Sequence, residues 1–203
     1  ASVVALAKEA NLRLASAGLS RRIETIDIGG GLLPEVLGNA TSKMEAYATA
    51  LKKQCPDLWD FGLITEFGQW TYFYTGYASS TVEYAVQRGA TRLAYVHLGA
   101  DFLLRDAYVK PRGIQFCPVG DAATRPAVLT DIAGPLCFAG DYLEKGISLP
   151  KLEEGDVLLL LNTGSNAYAL WSRHCSRTIP KVLGVDFAQK HMTILSPRSN
   201  PFL

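Results

Sequence analysis

The sequence predicts an α/β segment followed by an all-β module. Up to about residue 77, helical and strand patterns alternate as they do in a βα barrel or a doubly wound sheet. Beyond that residue, short strand patterns follow one another, separated by turn signals rich in Gly, Pro and Asp. We therefore expect the 203-residue chain to contain two domains, residues 1–77 and 78–203.

The first part opens with an amphipathic helical pattern. Leu6, Ala10 and Leu14 recur at i, i+4 spacing, and Gly18 predicts where this helix ends. Residues 23–28 are rich in Ile and Thr, which favours a short strand.

A second helix and a second strand are predicted further along. Ser42 and Glu45 have capping-box spacing, which predicts a helix that continues over residues 44–53. Residues 63–65 favour another strand. A closed (β/α)8 barrel needs roughly 200 residues or more, so these two βα units predict only the closing segment of such a barrel.

The second part contains seven strand patterns. They lie near residues 81–86, 92–98, 114–119, 127–132, 157–162, 166–172 and 181–186. Many short strands with regular turn signals predict a β-sandwich or β-barrel domain.

Composition excludes several classes of protein. The formal net charge of +1 argues against nucleic acid or an anionic membrane as a partner. The longest apolar run, Val157–Leu161, is far too short to span a bilayer. The four cysteines form no CxxC pair and have no histidines at ligand spacing, so neither a metal site nor a disulfide framework is expected. Free thiols favour a reducing compartment, the cytoplasm or an organelle matrix.

Glycines and a carboxylate follow the two predicted strands of the first part. Gly29, Gly30 and Gly31 would let backbone N–H groups approach a phosphate, although such a run is also an ordinary turn. Glu66 could pair with a protonated ring nitrogen of a cofactor, or it could simply cap a helix. On a βα barrel, both groups would lie on the same face.

Two further side chains of the second part are candidates for chemistry. Cys137 lies between a Gly-Pro turn and Asp141, so it is either a site residue or a small buried apolar residue. Tyr168 could donate its hydroxyl to a phosphate, or it could be a core tyrosine.

The order and spacing of these features resemble the fold-III decarboxylases that depend on pyridoxal 5'-phosphate (PLP), such as ornithine, diaminopimelate and biosynthetic arginine decarboxylases. Residues 29–31 match the family's triple-glycine loop, and residues 66–69 occupy the place of its E-P-G-R motif. Residues 134–141 match its G-P-x-C-(D/E)-x-x-D segment, and residues 167–168 match the end of its G-A-Y motif. The resemblance implies an alanine-racemase-like (β/α)8 barrel followed by a C-terminal β-sandwich or barrel domain.

The resemblance also implies a role for each site residue. Glu66 would keep the pyridine nitrogen of PLP protonated, and Cys137 would assist protonation of the carbanion from across a dimer interface. The residues implied to hold the PLP phosphate are Gly29, Gly30, Gly31, Gly68 and Tyr168. Those implied to line the substrate site are Arg105, Tyr108, Phe138 and Asp141.

The chain departs from the family pattern at several positions. Gln69 replaces the arginine of E-P-G-R, and Phe138 replaces the acidic residue after the cysteine. Two extra residues separate Gly164 from Tyr168. The family's Schiff-base lysine and the histidine that stacks on its cofactor belong to early barrel strands, and no lysine here falls at such a position.

These features predict the C-terminal portion of a PLP-dependent amino-acid decarboxylase that needs a separate N-terminal half to supply the lysine. The alternative is a catalytically inactive decarboxylase paralogue that serves as a structural or regulatory subunit of a larger assembly. In both cases we expect another protein chain as partner, in a dimer or larger complex.

Overall fold

The computed structural model forms two compact units, Ala1–Phe73 (unit 1) and Tyr74–Leu203 (unit 2). The division falls close to residue 77, where the sequence pattern changes. The structure describes residues 2–35, 42–103, 113–137, 139–165 and 167–198.

Unit 1 alternates helices and strands in the predicted order. Its elements are α1 (Ser2–Ser16), β1 (Thr25–Asp27), α2 (Lys43–Gln54), β2 (Gly62–Ile64) and α3 (Gly68–Tyr72). The two strands are parallel, with Ile26 opposite Leu63. The predicted cap of α2 is confirmed, since the Ser42 hydroxyl accepts hydrogen bonds from the N–H groups of Met44 and Glu45 at 3.2 and 3.4 Å.

The core of unit 1 is small because only one face of α1 and one face of the strand pair are covered. It consists of Val4, Ala7, Ile26 and Leu58, with partly buried neighbours Ile28, Leu51, Cys55, Phe61 and Leu63. Ile64, at the end of β2, has 51% of its surface exposed.

Unit 2 is an all-β domain built around one mixed sheet. Its strands are β3 (Tyr77–Arg88), β4 (Thr91–Val96), β5 (Gln115–Pro118), β6 (Ala127–Ala133), β7 (Tyr142–Pro150), β8 (Val157–Leu161), β9 (Val182–Asp186) and β10 (His191–Ser196). Six of them form a sheet of order β5-β8-β3-β4-β6-β7, in which only β4 and β6 are parallel. The edge strands β5 and β7 also approach each other, so the sheet is nearly closed.

The inner face of this nearly closed sheet packs around the core of unit 2. Alternate residues of each strand point inward, as the two-residue period of a strand requires. The buried apolar residues are Val82, Ala94, Val96, Leu98, Phe102, Leu103, Phe116, Ile132, Leu149, Leu152, Leu158, Leu160 and Ala167.

One strand prediction for unit 2 was wrong, and two strands were missed. The strand expected over residues 166–172 is instead a short 3-10 turn, Tyr168–Leu170, stabilised by a hydrogen bond from the Trp171 N–H to the Tyr168 carbonyl. Strand β7 was not predicted because Gly146 interrupts its pattern, and the pairing of β7 with β6 shifts register beside it. Strand β10, which pairs with β9 in a separate hairpin, was also not predicted.

In the described part of the chain, no helix is long and apolar enough to cross a membrane. All four cysteines are unpaired: Cys55 and Cys117 are partly buried, whereas Cys137 and Cys175 are exposed. The two exposed thiols are therefore accessible to reagents in solution.

Candidate functional site

The loops that follow β1 and β2 lie side by side. Because the two strands are parallel, their C-terminal ends share one edge of the sheet. The Glu66 N–H donates a hydrogen bond of 2.9 Å to the Gly29 carbonyl, which joins the loops directly. A Cβ atom on Gly30 would lie 2.7 Å from the Glu66 carbonyl oxygen, so glycine is required for this approach.

The backbone of the glycine loop leaves two donors available. Gly29 and Gly31 have φ angles of +71° and +98°, in the left-handed region that favours glycine. The Gly29 N–H donates to a carboxylate oxygen of Asp27 at 2.8 Å. The N–H groups of Gly30 and Gly31 have no hydrogen-bond partner among the described residues. Two of the three predicted glycine donors can therefore contact an anion.

Glu66 lines an open concavity of about 500 Å³ in unit 1. Its side chain is exposed, and Gly68, Trp70 and Met44 line the same concavity. The Gly68 N–H already donates to the Glu66 carbonyl at 2.8 Å, so it is less available to a phosphate. Gln69, which stands where the family pattern has arginine, is only 7% exposed.

Glu35 connects this site to α2, a role that the sequence did not reveal. One of its carboxylate oxygens accepts hydrogen bonds from the Ser42 hydroxyl at 3.0 Å, the Lys43 N–H at 2.7 Å and the Trp70 indole N–H at 3.3 Å. The hydrogen bond from Ser42 holds the pKa of Glu35 below its usual value, although desolvation opposes the shift. The capping-box spacing had indicated a different acidic residue, Glu45, because that spacing considers only residues close to Ser42 in the sequence.

The second candidate region is the turn of unit 2 that carries Cys137. The Cys137 side chain is exposed, whereas the preceding Leu136 is buried. Asp141 is only 4% exposed, and its two carboxylate oxygens accept hydrogen bonds of 2.7 Å from the N–H groups of Ala100 and Leu136. Both oxygens of this predicted substrate-site residue are thus engaged within the protein.

Tyr168 lies on the short 3-10 turn that follows β8. It is 44% exposed, and its hydroxyl is 3.3 Å from the hydroxyl of Ser196 on β10. The other predicted substrate-site residues, Arg105, Tyr108 and Phe138, lie outside the described residues.

Comparison with known families bears directly on unit 2. Residues 68–164 match the family model described as "Pyridoxal-dependent decarboxylase, C-terminal sheet domain". This region belongs to the pyridoxal-dependent decarboxylase family. The match contains the mixed sheet from β3 to β8 together with the turn that carries Cys137.

Curated relatives of this decarboxylase domain extend the match into unit 1. A diaminopimelate decarboxylase of Helicobacter pylori strain J99 is 28% identical over 174 residues, which make up 85% of this chain and 42% of the relative. A diaminopimelate decarboxylase of Pseudomonas aeruginosa is 29% identical over 180 residues, 88% of this chain and 42% of the relative. The chain therefore spans less than half the length of the relatives it matches.

Solved structures show the same fold. A protein from Aquifex aeolicus superimposes with a TM-score of 0.76 at 24% identity, covering 98% of this chain and 47% of that structure. The diaminopimelate decarboxylase of Helicobacter pylori in complex with L-lysine gives a TM-score of 0.73 at 22% identity, with 98% and 47% coverage. The predicted fold class is confirmed: part of an alanine-racemase-like barrel followed by a C-terminal β-domain.

Proposed function

We propose that the chain is the C-terminal portion of a PLP-dependent amino-acid decarboxylase. In this proposal the rest of the barrel supplies the lysine that binds the cofactor. The observation that carries the proposal is the pair of joined loops in unit 1, which brings the Glu66 carboxylate and two glycine N–H groups, unpartnered among the described residues, to one edge of the sheet. The family match of residues 68–164 supports it independently.

The residues of unit 1 fit the groups that PLP presents. The N–H groups of Gly30 and Gly31 suit a phosphate, since glycine N–H groups donate hydrogen bonds with no side chain in the way. The exposed carboxylate of Glu66 suits a protonated pyridine nitrogen, whose charge it would stabilise. Gln69 brings no positive charge, so we expect weaker phosphate binding than with arginine at this position.

In this reaction the substrate loses its carboxylate as CO2, and bound PLP supplies an electron sink for the electron pair left on the carbon. The chain's own residues hold the cofactor and protonate the carbon that has lost CO2. The N–H groups of Gly30 and Gly31 would hold the phosphate, and Glu66 would hold the pyridine nitrogen proton. The Cys137 thiol then delivers a proton to the carbon that has lost CO2.

The substrate is an amino acid without a strongly basic side chain. Phe138 stands where the family pattern has an acidic residue, so a distal ammonium would lose its partner. Burying an unpaired charge costs several kcal/mol. Arg105 and Tyr108 remain candidates for binding the rest of the substrate. Diaminopimelate is the first compound to test, because the relatives are diaminopimelate decarboxylases and because its distal ammonium is balanced by a distal carboxylate of its own, unlike the cation of a basic side chain.

The active assembly is a dimer or a larger complex. It contains the other part of the barrel, and Cys137 contributes from one subunit to the site of its partner. Four unpaired cysteines favour a reducing compartment, the cytoplasm or an organelle matrix.

Cofactor binding is tested with a matched pair of glycine variants in the assembly that contains the whole barrel. Gly29 and Gly18 both have φ of +71°, and an added Cβ atom would meet nothing within 4 Å at either position. G29A and G18A therefore carry the same conformational cost, but only G29A changes the candidate phosphate loop. We expect G29A to weaken PLP binding about tenfold and G18A to leave it unchanged, as measured by fluorescence titration.

Activity is tested by release of labelled CO2 from diaminopimelate, ornithine, lysine and arginine. PLP-dependent release from diaminopimelate, with little from the three basic amino acids, supports both the reaction and the role of Phe138. Efficient release from a basic amino acid contradicts the substrate class. No release from any amino acid, together with no PLP binding, contradicts the proposed function and would favour a structural or regulatory subunit.

A further inference from the structure

The turn that carries Cys137 is closed at its base by Asp141. The Gly134 N–H donates to the Asp141 carbonyl at 2.8 Å, and the Leu136 N–H donates to its carboxylate at 2.7 Å. The second carboxylate oxygen accepts from the Ala100 N–H, also at 2.7 Å. One residue thus ties both sides of the turn together and fastens the turn to the segment after β4.

The Asp141 carboxylate lies in a narrow slot between Gly99 and Gly134. A Cβ atom on Gly134 would lie 2.3 Å from a carboxylate oxygen of Asp141, and one on Gly99 would lie 2.7 Å from the same oxygen. Asp141 is 4% exposed. Because the slot is filled and both oxygens accept backbone hydrogen bonds, the carboxylate has little capacity left to bind a substrate ammonium.

The three hydrogen bonds that Asp141 accepts, from the N–H groups of Gly134, Leu136 and Ala100, act as a clamp on the turn. This clamp determines which way the turn presents its side chains. Leu136, whose N–H is held by Asp141, is 8% exposed and directs its side chain inward. Cys137 follows immediately and is exposed. If the Leu136 N–H were released, the backbone that orients the Cys137 side chain would lose its fixed point.

We propose that Asp141 is a positioning residue that holds the Cys137 thiol for proton delivery, and that it is not a substrate ligand. The catalytic purpose of the clamp rests on the proposed function; the clamp itself rests only on the contacts above. In the proton transfer, the sulfur–hydrogen bond breaks, the proton joins the carbon that has lost CO2, and water returns a proton to the thiolate.

The first test is alkylation of the full chain with iodoacetamide at one pH, followed cysteine by cysteine with mass spectrometry. In D141N one backbone N–H faces an amide NH2 instead of an acceptor, so one arm of the clamp is lost. Exposed Cys175 is the internal reference. We expect the rate at Cys137 relative to Cys175 to rise about fivefold, because a turn released at Leu136 no longer holds the exposed thiol in one orientation.

Asp131 provides the matched control. It lies on β6, and one of its carboxylate oxygens accepts the Gly146 N–H at 2.7 Å, the same kind of bond as in the clamp. D131N should leave the Cys137 to Cys175 ratio unchanged. If the ratio of alkylation rates at Cys137 and Cys175 is unchanged in folded D141N, or rises equally in D131N, the proposal that Asp141 positions Cys137 is wrong.

A second measurement needs no variant and covers the case in which D141N does not fold. In the unmodified protein, we expect the amides of Ala100 and Leu136 to exchange with deuterium about 100-fold more slowly than unprotected amides. Exchange at the unprotected rate would show that Asp141 does not hold them, and the inference would fail.

The third measurement separates positioning from substrate binding in the assembled decarboxylase. A positioning role predicts that D141N lowers kcat about tenfold with KM nearly unchanged, whereas a substrate ligand would mainly raise KM. A rise in KM alone would overturn the assignment. If the unmodified protein releases no CO2 while alkylation still responds to D141N, the proposed function fails and the clamp stands without a catalytic purpose.

Discussion

The two units differ most in how much core each one builds for itself. Among the described residues, unit 1 buries four apolar side chains in its core cluster, whereas unit 2 buries thirteen. Unit 1 has a sheet of two strands, each with one edge unpaired among the described residues, and unit 2 has a sheet of six. A two-stranded sheet is marginally stable without further packing.

This difference shows how far the core of each unit can stabilise that unit. Unit 2 has a nearly closed sheet and can hold the turn of Cys137 on a rigid support. Unit 1 carries the glycine loop and Glu66 on two short strands, and it exposes Ile64 and Leu33. Among the described residues, β1 and β2 each keep one unpaired edge, to which a further strand can pair.

The largest expected effect comes from truncating one leucine in each core. Leu160 on β8 is fully buried in unit 2, and Leu58 is 4% exposed in unit 1. L160A should cost about 3–5 kcal/mol of unfolding free energy, because the closed sheet cannot collapse around the cavity. L58A should cost about 2 kcal/mol, since its smaller cluster can relax or admit water.

Both costs are measured by native-state amide exchange, which reports on each unit separately. If L58A destabilises unit 1 as much as L160A destabilises unit 2, then the small core is as well packed as the large one. The comparison drawn above would then be wrong.

An intermediate effect is expected at the ion pair of unit 2. Arg125 donates two hydrogen bonds to the carboxylate of Asp156, at 2.5 and 3.0 Å, and the Glu153 N–H donates a third at 2.7 Å. Burial alone would raise the pKa of Asp156, but these hydrogen bonds hold it below its usual value. D156N should cost about 1 kcal/mol at neutral pH.

The lowered pKa gives this effect a definite dependence on pH. The stabilisation is complete above the unfolded-state pKa, about 3.9, and is lost as the pH falls through the lower folded-state value. The difference in urea midpoint between D156N and the unmodified protein should therefore shrink on acidification. A difference that is independent of pH down to about 2.5 would contradict the ionic origin of the effect.

The smallest effect is expected in unit 1, at Glu35. E35Q keeps an oxygen that can accept hydrogen bonds but removes the charge, so the bonds from Ser42, Lys43 and Trp70 should weaken rather than disappear. Faster amide exchange at Lys43 is the expected result. Because the pKa of Glu35 is lowered, its contribution should fade as the pH falls below about 4.3.

The control for this variant is E45Q, which changes the glutamate that lies in the first turn of α2 itself. It should leave exchange at Lys43 unchanged. Equal effects of the two variants would mean that Glu35 acts only through the helix dipole and does not bind the Lys43 N–H directly.

Much of the fold could be predicted from the sequence because its signals are local. Apolar spacing predicted α1 and most strands, and the Ser42 cap was read from neighbouring residues. The failures have a physical cause. Apolar residues at 166–172 resemble a strand, yet hydrogen bonds within the chain close a 3-10 turn there. Gly146 weakened the pattern of β7, which pairing with β6 nevertheless holds extended.

The sequence by itself determined which residues were candidates, and only the tertiary structure decided what they contact. The sequence was enough to recognise the glycines, Glu66, Cys137 and Tyr168 as candidates, because the order and spacing of a motif are properties of the linear chain. The partners of Asp141 were not, since Ala100 lies 41 positions away and meets it only when β4 and β6 pair. The same holds for the hydrogen bond between Glu66 and Gly29, which depends on the parallel pairing of β1 and β2. Hydrogen bonds between distant segments form only when the strands bring those segments together, and no local periodicity records them.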